Sequence, residues 1–199
     1  MNGQKKIMYK IIALFGEAGT GKDSIQNYLC QTYHFNPIIS YTTRPPRQGE
    51  IEGISYHFIT DEEFLNKTLN GDMLEATSFN GWFYGTALSS LKENVINIGV
   101  FNIEGIKILV ENSQLEILPI KIETEDRLRI IRQLYRENNP NCLEICRRFL
   151  TDTKDFNNFK NNESLSYIVY QNNTRNMDFH NIEKLPDFIS FIDKDNIKK

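Results

Sequence analysis

The sequence predicts an α/β fold: a mainly parallel sheet with helices on both faces. An apolar run over residues 8–15 ends at Gly16, as a strand buried on both faces does. Beyond it, strand-like and helix-like segments alternate along the 199 residues, which is typical of parallel strands joined by crossover helices. The length favours one domain with inserted subdomains over two independent folds.

The first half of the chain supplies two predicted helices and three predicted strands. Apolar residues recur at three- and four-residue spacing in 22–33, which predicts a helix there. Thr60 and Glu63 form a Thr-x-x-Glu capping box, which predicts a second helix that passes Leu69 and stops at Gly71. The predicted strands are 8–15, 38–41 and 56–59.

The second half continues the alternation. The strands predicted here are 95–103, 115–122 and 167–170. The predicted helices are 106–110, 124–137, 143–156 and 188–192. The helices 124–137 and 143–156 are basic and amphipathic, and most of their arginines are expected on solvated faces.

Composition limits the classes of function. Apolar residues make up 40% and charged residues 25% of the chain, as in ordinary globular proteins. The net charge of −3 provides no broad positive field, so we expect no binding to DNA, to RNA or to a membrane. No bilayer-spanning run or cleavable signal is evident, and three irregularly spaced cysteines suit neither a disulfide framework nor zinc. A cytoplasmic location is expected.

A phosphate-binding loop lies between the first predicted strand and the first predicted helix. Residues 16–22 match G-x-x-x-x-G-K in the strand-to-helix context that the motif requires. Glycines let successive backbone N–H groups converge on phosphate oxygens, and Lys22 adds a mobile cation. The predicted ATP-binding residues are Gly16, Glu17, Ala18, Gly19, Thr20, Gly21, Lys22, Asp23 and Ser24.

The residue after Lys22 departs from that motif. Asp23 stands where a Ser or Thr hydroxyl normally contacts Mg²⁺, and Ser24 is one place late. A carboxylate can hold the metal directly or through water. Alternatively, Asp23 is a helix-start acid that the helix dipole favours.

Two arginines define a second predicted phosphate site. Residues 40–58 read S-Y-T-T-R-P-P-R-Q-G-E-I-E-G-I-S-Y-H-F. Arg44 and Arg47 flank two prolines, which favours a fixed clamp for a phosphate dianion, and Tyr56 can add a neutral donor.

This segment resembles guanylate kinase. That family carries Ser-x-Thr-Thr-Arg-x-Pro-Arg-x-Gly-Glu, then a Gly and a Tyr-x-Phe, and each of these is present in order. With the phosphate loop, the resemblance covers most of the chain. It implies a P-loop kinase that transfers the γ-phosphate of ATP to GMP or dGMP, with Mg²⁺ as cofactor. It also implies one domain over 1–199: a core (1–39, 95–123, 165–199), an acceptor-binding insert (about 40–94) and a lid (about 124–160).

A third segment resembles the family's guanine- and phosphate-binding residues, with matching spacing from Glu75 to the run Tyr84-Gly-Thr86. A carboxylate accepts hydrogen bonds from the N1–H and N2–H₂ edge of guanine, which adenine does not offer. The predicted GMP-binding residues are Ser40, Arg44, Arg47, Tyr56, Glu75, Tyr84, Thr86 and Asn102.

The family's acidic strand residues are missing here. Val100 and Asn102 stand at their positions before Gly105, and an amide supplies no charge to Mg²⁺. Glu104 is the nearest acid, and on a regular strand it would share a face with Asn102. The metal ligands therefore stay open among Asp23, Glu104 and the phosphates alone.

The resemblance also implies lid residues that contact the transferring phosphoryl group. Arg132 and Arg136 keep the family's four-residue spacing, and the later arginine maps to Arg147 by count or Arg148 by the following Phe. Asp155 resembles the acid further along. The implied catalytic residues are Lys22, Arg44, Arg132, Arg136 and Arg148.

Two alternatives stay open. Asp23 and Asn102 suggest a deoxynucleoside monophosphate kinase of altered base choice, which substrate profiling would separate. A non-catalytic guanylate kinase-like module would instead bind phosphorylated protein ligands. That class tends to have degenerate phosphate loops, whereas Lys22 and its bounding glycines are intact here.

Overall fold

The computed structural model describes residues 8–136, 138–161, 165–173 and 179–193. Its strands are β1 (Tyr9–Phe15), β2 (Asn36–Pro37), β3 (Tyr41–Thr42), β4 (His57–Phe58), β5 (Met73–Phe79), β6 (Trp82–Ala87), β7 (Ile96–Val100), β8 (Leu115–Glu123) and β9 (Ile168–Gln171). Its α-helices are α1 (Lys22–Tyr33), α2 (Asp61–Leu69), α3 (Ile103–Val110), α4 (Asp126–Arg136), α5 (Cys142–Asn161) and α6 (Pro186–Asp193).

The larger sheet has five parallel strands in the order β2-β7-β1-β8-β9. The central strand β1 is buried on both faces, and its side chains alternate between two cores. Ile12 and Leu14 pack with residues of α1 and α6, whereas Ile11, Ala13 and Phe15 pack with residues of α3 and α5. The predicted α/β class, with a mainly parallel sheet between helices, is therefore confirmed.

The smaller sheet has four strands in the order β4-β3-β6-β5. Strands β5 and β6 form an antiparallel hairpin that turns at Asn80 and Gly81, which both have positive φ, as a two-residue turn of type I′ requires. Helix α2 packs on this sheet: the ring of Phe64 stacks on Phe83 at 5.4 Å and lies against Gly85. The sequence pattern does not predict β5 or β6 as strands.

Several predicted boundaries are wrong. The predicted strand 38–41 falls between β2, which pairs with β7, and β3, which pairs with β4 and β6, so it links the two sheets. The predicted strand 95–103 ends at Val100 because Asn102 caps α3, whose first residue is Ile103. The helix predicted at 143–156 is longer than predicted, at Cys142–Asn161. Glu137, the predicted end of the helix 124–137, lies outside the described residues.

Two predictions about the helices are confirmed. Helix α1 has the predicted bounds, and Thr60 and Glu63 form the capping box at the start of α2. The cysteines Cys30, Cys142 and Cys146, all within the described ranges, are free. Among the described residues, no helix has the length and apolar character needed to cross a bilayer.

The packing of α2 on the smaller sheet can be tested with Phe64, which is 2% exposed. Replacing Phe64 by Ala removes a buried aromatic ring and is expected to cost about 3–5 kcal/mol in the free energy of unfolding. Urea denaturation measures this cost. Leu65 is 49% exposed on the same helix, so Leu65→Ala is the control and should change stability by less than about 0.5 kcal/mol. Equal costs for the two variants would contradict the packing described here.

Candidate functional site

A cleft of about 1090 Å³ lies where β1 and β7 end, between the smaller sheet and helices α4 and α5. The carboxyl edge of a parallel sheet is the usual place for ligands in such folds. One side of the cleft is formed by the phosphate loop and the start of α1, here called the loop side. The other, formed by the smaller sheet with Arg44 and Arg47, is called the clamp side.

The cleft brings together most of the residues predicted from the sequence. On the loop side it is lined by Gly16, Ala18, Gly19, Gly21, Lys22, Asp23 and Ser24. On the clamp side it is lined by Ser40, Arg44, Arg47, Tyr56, Glu75, Tyr84, Asn102 and Glu104. The helices contribute Arg132, Arg136, Arg147, Arg148, Asp152 and Asp155. Of the remaining predicted residues, Thr20 and Thr86 are fully buried behind the wall, and Glu17 lines a second cavity of about 320 Å³.

Two glycines of the loop have no room for a side chain. A Cβ at Gly16 would lie 2.3 Å from the backbone oxygen of Ile122, and one at Gly19 would lie 2.5 Å from that of Arg129. Both glycines have positive φ, which other residues rarely adopt. The loop is therefore pressed against β8 and α4, and its shape depends on glycine at these positions.

Lys22 lies inside the loop that precedes it. Its Nζ donates to the backbone oxygens of Gly16 at 2.7 Å and Glu17 at 2.8 Å. Burial lowers the pKa of Lys22, and the nearby carboxylates of Asp23 and Asp152 oppose that shift. The ammonium group is thus held at the position from which it can reach a phosphate in the loop.

Arg129 and Asp152 belong to the loop side, although the sequence pattern singles out neither. Most arginines of the two basic helices are expected on solvated faces, but Arg129 is only 1% exposed and is an exception. Its Nη1 donates to Glu17 Oε1 at 2.9 Å and to Asp126 Oδ1 at 2.8 Å, and its Nε donates to the oxygen of Ala18 at 3.1 Å. Asp152 Oδ2 accepts from the N–H of Ala18 at 2.6 Å. The cue in the sequence is helical spacing, since Arg129 lies one turn before Arg132.

The arginine clamp is held by a carboxylate that the motif contains but to which no role was given. Glu50 accepts two hydrogen bonds from the guanidinium of Arg44, each 3.0 Å, and one from the N–H of Arg47 at 2.7 Å. Burial disfavours its charge, but these hydrogen bonds outweigh burial and lower the pKa of Glu50. Arg44 is 4% exposed, so Glu50 fixes the direction of a nearly buried guanidinium.

Two tyrosines complete the clamp side. The rings of Tyr56 and Tyr84 lie 6.2 Å apart, and the guanidinium of Arg44 lies 5.5 Å from the centre of the Tyr56 ring. Burial raises the pKa of Tyr56 to about 12, so its hydroxyl stays protonated and can donate. Two arginines and a neutral donor can therefore face one phosphate group.

The far end of the clamp side holds a buried carboxylate. Glu75 is 6% exposed, and burial raises its pKa to about 7, partly offset by a hydrogen bond with Thr86. Thr86 and Ser40 face each other through their hydroxyl oxygens at 3.2 Å. Gly105 makes room for Glu75, because a Cβ at that glycine would lie 3.0 Å from Glu75 Oε2.

Asn102 lies beside this carboxylate and is the N-cap residue of α3. Its Oδ1 accepts from the N–H of Gly105 at 2.7 Å, which caps the helix, and its Nδ2 donates to Thr77 Oγ1 at 2.7 Å. Glu104 is in the first turn of α3, so it does not share a strand face with Asn102 as expected. Its carboxylate instead pairs with Lys107 at 2.8 Å.

Helix α4 spans the two sides of the cleft. Arg132 donates to the backbone oxygens of Gly19 at 3.3 Å and Asn172 at 3.1 Å, on the loop side. One turn later, Arg136 Nη2 lies 3.8 Å from Glu50 Oε1, on the clamp side. The predicted four-residue pair therefore reaches both sites from one helix face.

Arg147 and Arg148 both line the cleft and both pair with Glu144, at 2.7 and 2.9 Å. The side chain of Arg148 is 18% exposed and that of Arg147 is 45% exposed, so Arg148 is the more enclosed of the two. Asp155 lies on the same helix, where burial and the charge of Asp152 raise its pKa.

Comparisons with known proteins identify the family of the chain. Residues 8–174 match the family model described as guanylate kinase. The chain is 34% identical over 180 residues to a guanylate kinase from Wigglesworthia glossinidia brevipalpis, covering 86% of this chain and 85% of that one. A guanylate kinase from Clostridium tetani is 41% identical over 83 residues, which are 42% of this chain and 40% of that one. In fold, the chain resembles a crystal structure of guanylate kinase from Anaplasma phagocytophilum, with a TM-score of 0.62, 23% identity and coverage of 97% and 88%.

The buried carboxylate of Glu75 predicts a pH dependence of stability. Below pH 4.5 the carboxyl is protonated in the folded and unfolded chain alike; between pH 4.5 and about 7 the unfolded chain ionises first, so stability falls as pH rises. Over that window ionisation of Glu75 is expected to lower the free energy of unfolding by about 3 kcal/mol. Glu75→Gln should remove this dependence of stability on pH. Urea denaturation from pH 5 to 8 measures it. Glu62→Gln, which alters an exposed acid, is the control, and a slope unchanged in Glu75→Gln would refute the assignment.

Proposed function

The chain belongs to the guanylate kinase family, and we propose that it transfers the γ-phosphate of ATP to GMP or dGMP, giving ADP and GDP or dGDP. One observation carries the proposal: a single cleft holds a phosphate loop on one side and, on the other, an arginine clamp with a buried carboxylate beyond it. Such a cleft suits two nucleotides whose phosphates meet in its middle. The family assignment does not favour the altered-base kinase or the binding module.

On the loop side, the phosphates of ATP would bind the backbone N–H groups of the loop and the start of α1. Lys22 already lies within the loop and would turn from its backbone oxygens to the phosphates. Arg132 contacts the backbone of the same loop, so its positive charge would be close to the phosphoryl group during transfer. Phosphoryl transfer needs positioning and charge stabilisation, not a protein nucleophile.

On the clamp side, Arg44 and Arg47 would bind the phosphate of the acceptor, with Tyr56 and Tyr84 beside it. Because Glu50 already fixes the Arg44 guanidinium, little side-chain entropy is lost when the phosphate binds. Arg136 faces the same carboxylate from α4, so this arginine of the proposed lid would lie near the acceptor phosphate. We also propose that Arg148, the more enclosed of the two candidates, is the later lid arginine.

The base of the acceptor would be read by Glu75, with the Ser40 and Thr86 hydroxyls near it. As a carboxylate, Glu75 accepts from N1–H and N2–H₂ of guanine, and adenine would leave this buried acid without those donors. The proposed acceptor site also includes Asn102, which lies beside Glu75. Ribose and deoxyribose acceptors are not distinguished by these contacts.

We propose Mg²⁺ as cofactor. Magnesium in kinases usually binds one or two carboxylates together with substrate phosphates. Asp23 lines the cleft next to Lys22 and would hold the ion, whereas Glu104 is already paired with Lys107. Within the described residues no group of three or more His, Cys, Asp or Glu is placed to hold a metal ion. When bound, Mg²⁺ would neutralise charge on the phosphates.

The division of the chain also stays a proposal. The five-stranded sheet supports the core, and the four-stranded sheet with α2 supports an acceptor-binding insert over about residues 40–94. Helices α4 and α5 support a lid over about residues 124–160. The cytoplasmic location expected from the sequence stays a prediction.

The proposed activity predicts ADP release from ATP only when GMP or dGMP is present. A coupled assay over GMP, dGMP, AMP, UMP and CMP measures this. Lys22→Ala should abolish turnover, whereas Lys92→Ala, an exposed control outside the cleft, should not. Glu75→Gln should cost about 1.5–3 kcal/mol in the preference for GMP over AMP, because a charged acceptor is lost. Normal rates in Lys22→Ala would reject the donor site, and an unchanged preference in Glu75→Gln would remove Glu75 from the base site.

The proposed metal ligand predicts different Mg²⁺ requirements for two matched substitutions. Asp23→Asn keeps the shape of the side chain but removes its charge, so half-maximal rate should need several-fold more Mg²⁺. Glu104→Gln should titrate like the unsubstituted chain, because Glu104 is paired with Lys107. A titration of rate against Mg²⁺ at saturating ATP and GMP compares the two. The reverse order of effects would move the ion to Glu104.

A further inference from the structure

The phosphate loop already holds an anion that belongs to the chain itself. Asp152, on α5, accepts a hydrogen bond of 2.6 Å from the backbone N–H of Ala18. This N–H is one of the loop groups that would bind the phosphates of ATP, so the point rests on the proposed donor site. A carboxylate and a phosphate cannot both take this donor, since two like charges so close repel each other.

A second hydrogen-bond donor for the Asp152 carboxylate lies beside the Ala18 N–H. Arg129 Nη2 is 4.0 Å from Asp152 Oδ2, too far for a hydrogen bond. Within the described part of the chain this buried nitrogen has no hydrogen-bond partner, which is costly for a guanidinium N–H. The other donors of Arg129 are held by Glu17, Asp126 and the oxygen of Ala18, so the guanidinium itself is fixed.

We propose that Asp152 is a positioning residue of the donor site that occupies the Ala18 N–H before ATP binds and moves to Arg129 Nη2 when a phosphate takes its place. A shift of about 1 Å would turn the 4.0 Å separation into a hydrogen bond. The carboxylate then keeps a cationic partner, and the unpaired donor of Arg129 gains an acceptor. Asp152 therefore changes its hydrogen-bond partner, and neither its carboxylate nor the Arg129 guanidinium is left buried without an opposite charge.

The exchange links the loop to the lid. Asp152 lies on α5 between Arg148 and Asp155, which also line the cleft. The proposed exchange therefore takes place on the helix that carries the proposed lid arginine.

The test is Asp152→Asn, which keeps the size of the side chain and removes its charge. Its affinity for tripolyphosphate and for ATP, measured by calorimetry without Mg²⁺, is expected to rise about tenfold, because the phosphate no longer displaces a charged competitor. Affinity for adenosine, which has no phosphate, is expected to stay unchanged. In the assay, the KM for ATP should fall while the KM for GMP stays the same. Asp152→Ala should behave alike and serves if the Asn variant does not fold.

Asp126→Asn is the matched control. Asp126 contacts the same guanidinium as Asp152 at 2.8 Å but does not contact the loop N–H, and the substitution removes the same charge. Unchanged or weaker tripolyphosphate binding in both Asp152 variants would overturn the proposal, and so would an equal gain in Asp126→Asn, which would indicate a general charge effect. If the unsubstituted chain binds neither ATP nor tripolyphosphate, and Lys22→Ala makes no difference, the donor site itself is refuted together with this inference.

Discussion

On each side of the cleft a buried arginine is held in place by carboxylates of the same chain, and the arrangement of both proposed phosphate sites depends on this pairing. Arg44 is bound by Glu50, and Arg129 by Glu17 and Asp126. Removing a guanidinium from water is costly unless a partner compensates it, so such side chains stay in the wall only with these acids. The chain therefore builds sites for anions while its net charge is −3. The positive potential is confined to the cleft, and hydrogen bonds to the carboxylates set the orientation of the guanidinium groups that produce it.

Helix α4 joins the two sites because its arginines repeat at helical spacing. Arg129 and Arg132 contact the loop, and Arg136 faces Glu50 on the clamp side. Residues three and four apart lie on one face of a helix, so a single helix places positive charge at both proposed phosphate sites. In a transfer reaction the phosphoryl group crosses this space, and charge on its oxygens would be met by side chains from one rigid helix.

The sequence predicts those parts of the fold that follow from local pattern. Helix α1 follows from apolar spacing and α2 from its capping box, and both have the predicted start. Strands β5 and β6 escape prediction because the smaller sheet buries them unevenly, with polar residues on both faces of β5. The turn at Asn80 and Gly81 was the cue for this hairpin.

In the candidate site, too, the sequence predicts the residues that belong to a local motif and misses those held by distant contacts. Motif residues such as Lys22 and Arg44 can be named because their chemistry depends on neighbours close in sequence, although their roles stay predictions. The pairing of Ala18 with Asp152 joins residues 134 positions apart, so no local pattern reveals it. Arg129 gives no sign of burial for the same reason: its partners come from the loop and from α5 as well as from its own helix.

The structure gives a physical reason why residue 102 is an amide and not a carboxylate, and the sequence alone does not supply that reason. Asn102 and Glu75 both lie against Gly105, with Asn102 Oδ1 3.1 Å and Glu75 Oε2 3.0 Å from the position of a Cβ on that glycine. A second carboxylate at residue 102 would disfavour ionisation of Glu75 further, and burial, partly offset by Thr86, already raises the pKa of Glu75 to about 7. A neutral amide can cap α3 and donate to Thr77 without adding charge. The residue that looks like a lost metal ligand thus leaves Glu75 ionisable near neutral pH, and Asp23 on the loop side stays the proposed metal ligand.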